Sequence, residues 1–160
     1  MAFDDPLVQQ LVAFVESIGL KVRAEDMPDG TFLPGLDVRG GALCIDTGRL
    51  AYPGDILHEA GHMAVADEDR RMQPDFKPTK AEEMAAMAWS YAAIRHLGLP
   101  PETVFHGDGY QGGSGNLVDA FEQGNGPGVP VLAWLELTTD PNGLDTQGKR
   151  CFPKMDRWVR

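Results

Sequence analysis

The sequence predicts a single α+β domain over residues 1–160, with a small antiparallel sheet packed on two helices. Three observations carry this. A length of 160 residues fits one domain with a core of its own. Apolar residues recur at helical spacing in three stretches, near 6–18, 53–66 and 80–97. Short apolar runs between the first two flank a Gly-Gly pair, as in a hairpin.

The elements follow in order. Asp5 is a candidate N-cap, Pro6 suits the first helical position, and Gly19 ends the first helix. Leu7, Leu11, Phe14, Val15 and Ile18 share its inward face. Leu20-Lys21-Val22 opens a strand, and Met27-Pro28-Asp29-Gly30 is a turn. Leu36–Arg39 and Ala42–Ile45 pair as a hairpin through Gly40-Gly41, and Arg49–Tyr52 adds a last short strand. A second helix spans about Pro53 to Ala66. The mixed-charge run Asp67-Glu68-Asp69-Arg70-Arg71 follows it as a solvated loop. A third helix spans about Lys80 to Leu97, stopped by Gly98 and Pro100. Eight glycines in residues 107–128 make that stretch loop-rich, with a short helix over Asn116–Gln123. Pro130–Leu137 fits helix or strand equally. The end, Lys149–Arg160, carries five bases and one acid, and is expected to pack on the acidic body of the protein.

Charge and composition exclude several classes. With 24 acids against 14 bases, the formal charge is −10, which disfavours nucleic acid and anionic membranes as partners. No apolar run approaches the roughly 18 residues of a membrane span. The opening MAFDDPLVQQ lacks the basic start and small-residue cleavage site expected of a secretory leader. The two cysteines, Cys44 and Cys151, form no C-x-x-C pair and read as reduced thiols, so a cytoplasmic location is expected. Nothing in the sequence fixes the oligomeric state.

Chemistry concentrates in His58-Glu59-Ala60-Gly61-His62, an H-E-x-x-H run inside the second helix. Four residues advance a helix by about 400°, so the two imidazoles sit about 40° apart, one turn above the other. Both can reach one zinc ion at the roughly 2.0–2.1 Å that Zn–N bonds require. Glu59 projects about 60° from His62, beside the ion without ligating it, where it can act as general base. Ile56, Leu57, Ala60, Met63, Ala64 and Val65 leave the helix little polar face apart from the motif, and polar groups in such a setting need a partner.

A catalytic zinc needs a third protein ligand and an open position. Asp67 and Glu68 follow the motif closely, but Val65 stands where the glycine-turn form of the motif needs Gly. The next helix offers glutamates. Thr79-Lys80-Ala81-Glu82 matches a capping box, which occupies Glu82 and leaves Glu83 free. Glu83 heads a stripe of Ala86, Met87, Ser90, Ile94 and Leu97 that faces inward. Glu83 is therefore the favoured third ligand, with Glu82 as the alternative. His96 suits a helix C-terminus. His106 and Tyr110, in the glycine-rich stretch, are candidate hydrogen-bond donors to a developing oxyanion.

This pattern, an H-E-x-G-H helix followed about 20 residues later by glutamates opening an alanine-rich helix with Trp89, resembles the gluzincin class of zinc metallopeptidases. Within that class it is most similar to the compact ImmA/IrrE-like group. The resemblance covers roughly residues 30–97, and Met87 or Ala86 stands where that group often carries Asn or Asp, four residues after the ligand glutamate. It implies a zincin-like fold, Zn²⁺ held by His58, His62 and Glu83, Glu59 as the catalytic base, and a peptide or protein substrate. The glycine-rich part, 107–160, lies outside it. A rival expectation keeps the zinc and the fold but no cleavage, as an interaction or stress-response module.

Overall fold

The computed structural model describes residues 3–107 and 112–160. Six α-helices and a three-stranded sheet are present among these residues. The first helix, α1 (Pro6–Ser17), is capped by Asp5, whose side chain accepts from the Leu7 N–H. It buries Val8, Leu11, Val12, Phe14 and Val15. Its inward face thus lies one position towards Val8 and Val12, and Leu7 and Ile18 flank it, only partly buried.

The strands are β1 (Lys21–Ala24), β2 (Leu36–Arg39) and β3 (Ala42–Ile45). Gly40 and Gly41 both take positive φ, 57° and 77°, the tight turn that a two-residue hairpin requires. The sheet is mixed rather than antiparallel. β2 pairs antiparallel with β3, and β1 pairs parallel with β3 on its other side. Burial explains the order: all four residues of β3 are buried, so β3 takes the centre. Residues 25–35 make the excursion a parallel pair needs, pinned where the Met27 N–H donates to Asp46 Oδ2 at 2.8 Å. The expected strand at Arg49–Tyr52 is absent. Asp46 instead curls the chain, its side chain accepting from the Gly48 N–H and its carbonyl from the Arg49 and Leu50 N–H groups.

Helix α2 (Asp55–Val65) follows, with Ile56, Leu57, Ala60, Met63, Ala64 and Val65 fully buried. The charged run beyond it is not a loop. Asp67 caps one helical turn, α3 (Glu68–Arg71), by accepting from the Arg70 N–H at 2.9 Å. Arg71 is buried and donates to the carbonyls of Ala66 and Arg160. Helix α4 (Lys80–His96) begins with the complete capping box of Thr79 and Glu82 and ends before Gly98, at φ 69°. A 3₁₀ turn (Pro101–Thr103), α5 (Ser114–Glu122) and α6 (Val129–Trp134) complete the chain, so the ambiguous apolar run resolves as a short helix.

α2 and α4 lie against each other in the core, between the sheet with α1 and the segment from α5 to the C-terminal end. The tail docks differently from the expectation of bases on acids. The Trp158 carbonyl accepts from the buried Trp89 Nε1–H at 2.8 Å, and the Arg160 N–H donates to the Ala64 carbonyl at 2.9 Å. The Trp158 ring packs edge-on against Phe14 and Trp89.

Candidate metal centre

The motif helix and the following helix approach each other at Gly61. A Cβ there would lie 3.1–3.2 Å from the backbone and Cβ of Ala86, so the absence of a side chain lets α4 come this close. Ala86 is three residues beyond Glu83, so the same approach carries Glu83 over the histidines of α2.

The result is one compact group. Single donor atoms of His58, His62 and Glu83 all lie within 4.8 Å of one another. Glu83 Oε1 is 2.9 Å from His62 Nε2, and Glu83 Oε2 is 3.7 Å from His58 Nε2. Tetrahedral ligands at Zn–N bond lengths are about 3.3 Å apart, a spacing these two distances bracket. The imidazoles meet at 73° with centroids 4.5 Å apart.

His62 Nε2 is buried and makes no aligned hydrogen bond, although a carboxylate oxygen lies 2.9 Å away. Two donors set close but not aimed at each other are the arrangement expected around a shared cation. The donor set, two imidazoles and a carboxylate, is also one that zinc takes. The residues present therefore fit the ion.

Electrostatics agree. Burial, the largest influence on His62, acts to lower its pKa, but the carboxylates of Glu59 and Glu83 outweigh it and hold the imidazole raised to about 9. His58 and then His62 hold the Glu83 carboxyl well below the usual carboxylate range. The floor is closed, since the His62 side chain is 8% exposed, while Glu83 is 46% exposed and marks the open side. Glu59 stands apart from the donor set: its Oε2 lies 3.5 Å from Nδ1 of His62, the nitrogen turned away from Glu83.

The alternatives for the third position are engaged elsewhere. Glu82 is buried, accepts from the Thr79 N–H at 2.8 Å and pairs with Arg70. Asp67 caps α3, and Glu68 belongs to no group of candidate metal donors among the described residues. Met87 packs partly buried against the core. His96 packs tilted against Phe14 and edge-on against Trp158, 13 residues beyond Glu83 on α4. Tyr110 lies outside the described residues.

His106 is tied to the motif helix by contacts that spacing alone does not reveal. Its Nε2 lies 3.0 Å from Asp55 Oδ1, and its ring stacks on Tyr52 at 3.8 Å and 11°. Its Nδ1 is buried and has no hydrogen-bond partner among the described residues. Asp55 opens α2, one turn before His58 and Glu59, and is buried there. Burial raises its pKa, partly offset by His106. Gly54 makes this possible, because a Cβ there would fall 1.6 Å from the Thr103 carbonyl oxygen. The signal for this approach is Gly54, which the expected helix from Pro53 takes in as an ordinary helical residue.

No protein-family model matches this chain, and no curated protein and no solved structure shows a significant match to it.

Proposed function

We propose that this protein is a zinc-dependent hydrolase of peptide or amide bonds. The observation that carries the proposal is the convergence of His58, His62 and Glu83 on a buried floor that opens to solvent at Glu83. When bound, zinc supplies a Lewis acid and a water of lowered pKa. His58 and His62 would hold the ion through nitrogen from one helix face, and Glu83 would hold it through oxygen from the next helix. Glu59 accepts the proton of the attacking water at a carboxylate oxygen and returns it to the departing amine. Its 3.5 Å approach to His62 Nδ1 also orients that ring. His106, held at Nε2 by Asp55 and stacked on Tyr52, braces the start of the same helix.

The test is zinc content and hydrolysis on protein purified without a histidine tag. Wild type is expected to hold one zinc per chain after reconstitution and to cleave an unfolded, fluorescently labelled protein. Glu59→Gln should keep the zinc and lose the cleavage, because the side chain is nearly isosteric and only its basicity is gone. His62→Ala should lose both. Substoichiometric zinc that does not rise on reconstitution removes the metal. Full zinc in an inert wild type favours the non-catalytic module.

A further inference from the structure

The basic segment at the end of the chain has cations that the fold does not use. Lys149 pairs with Asp145 at 3.0 Å. Arg157 donates to the carbonyls of Glu136 and Leu135. Arg160 is held through its backbone. The side chains of Arg150, Lys154 and Arg160 make no ion pair among the described residues, in a chain with 24 acids, and of these Arg150 and Lys154 stand together.

These two side chains meet the C-terminal end of α4 around a cleft of about 540 Å³, lined by Arg95, His96, Arg150, Lys154, Asp156 and Trp158. Arg95 also lacks a carboxylate partner. Its guanidinium donates to the Tyr91 hydroxyl at 2.9 Å and lies 5.9 Å from the centroid of that ring. Three permanent cations and one imidazole thus surround one concavity, opposed by the single carboxylate of Asp156. The acidic body tolerates these cations, but Asp156 is the one carboxylate that lines the cleft, so an anion entering it meets three cations against one acid. The helix end accounts for Arg95 and His96 but not for Arg150 and Lys154.

We propose that this cleft binds a phosphorylated organic anion of about mononucleotide size. The volume falls within the roughly 300–1,000 Å³ of small-molecule sites. Arg95, Arg150 and Lys154 would take the phosphate oxygens, with Arg offering the forked donors that suit them. Trp158, fixed edge-on against His96 at 5.3 Å, offers an aromatic wall for a ring. A small ligand is favoured over a polyanion. The small one meets only the cleft, whereas a nucleic acid strand would also meet the acidic body around it. The site is independent of the metal centre, since His96 lies 13 residues from Glu83 on α4, or about 20 Å at about 1.5 Å per residue.

Calorimetric titration of the full chain with ADP tests this, with adenosine, inorganic phosphate and a poly-glutamate peptide as comparison arms. ADP is expected to bind one per chain, with adenosine and phosphate each weaker by roughly tenfold or more. The R150E/K154E double variant should lose at least about tenfold in ADP affinity while keeping its melting temperature and zinc content. Salt should weaken the binding. Equal affinity of wild type and R150E/K154E overturns the assignment. So does phosphate binding as tightly as ADP, which would mark a bare anion patch. Poly-glutamate binding more tightly than ADP would assign the cleft to an acidic polypeptide instead.

Discussion

Glu82 and Glu83 are neighbours on one helix turn with opposite environments. Glu82 is buried in a network of the Thr79 N–H and the Arg70 guanidinium, which fixes the start of α4 and joins it to α3. Glu83 makes no cap. It faces two imidazoles on one side and solvent on the other. The two substitutions should therefore separate. Glu82→Ala removes half of the capping box and the carboxylate partner of Arg70, so it should cost about 0.5–2 kcal/mol of stability with zinc affinity retained. Glu83→Ala removes a carboxylate that holds His62 charged, so near neutral pH it should lower the metal-free melting temperature, and it should weaken zinc by at least about tenfold, since three ligands fall to two. Zinc titration and melting of both variants check this. The opposite pattern would assign Glu82 to the metal, and retention by both would place the third ligand elsewhere.

The distance between α2 and α4 decides whether that carboxylate reaches the histidines at all. Gly61 sets it, because its Cα faces the Ala86 backbone with room for a methyl group only at the limit of contact. Gly61→Ala should be tolerated, as a shift of a few tenths of an ångström is offset by about 1 kcal/mol of better helix propensity. Gly61→Val adds two further methyl groups into the same gap, and should push α4 outward, lower the melting temperature and weaken zinc by about tenfold. If Gly61→Val binds zinc as wild type does, the close approach is not what presents Glu83. Much at this level was legible beforehand. The capping residues Asp5, Thr79 and Glu82 mark helix starts by local chemistry, and Gly40-Gly41 marks a turn by backbone need. The order of the strands was not legible. β1 has only four residues and no fully buried face, so nothing in it distinguishes pairing with β2 from pairing with β3. The helical turn at Glu68–Arg71 was hidden because a charged run reads as solvated. Its one buried member, Arg71, is recruited by carbonyls of Ala66 and Arg160, the latter 89 residues away.

Across the molecule, the acidic body and the basic tail invite an account in which opposite charges hold the end of the chain in place. The geometry argues otherwise. The tail is fixed by the Trp89 indole N–H to the Trp158 carbonyl, by the Arg160 N–H to Ala64, and by the Trp158 ring among Phe14, Trp89 and His96. A hydrogen bond from a fully buried indole and an aromatic cluster are little affected by ions in solution, whereas exposed ion pairs are screened. The net charge of −10 acts the other way, since self-repulsion opposes the compact state until salt screens it. Raising NaCl from about 0.01 M to about 0.15 M shortens the screening length from ~30 Å to ~8 Å. The melting temperature should then rise, and the Trp89 indole proton should keep both its chemical shift and its protection from exchange. Those two readings, taken on one sample by calorimetry and NMR, distinguish the cases. A tail held by charge would instead loosen with salt, exposing the Trp89 proton and lowering the melting temperature together.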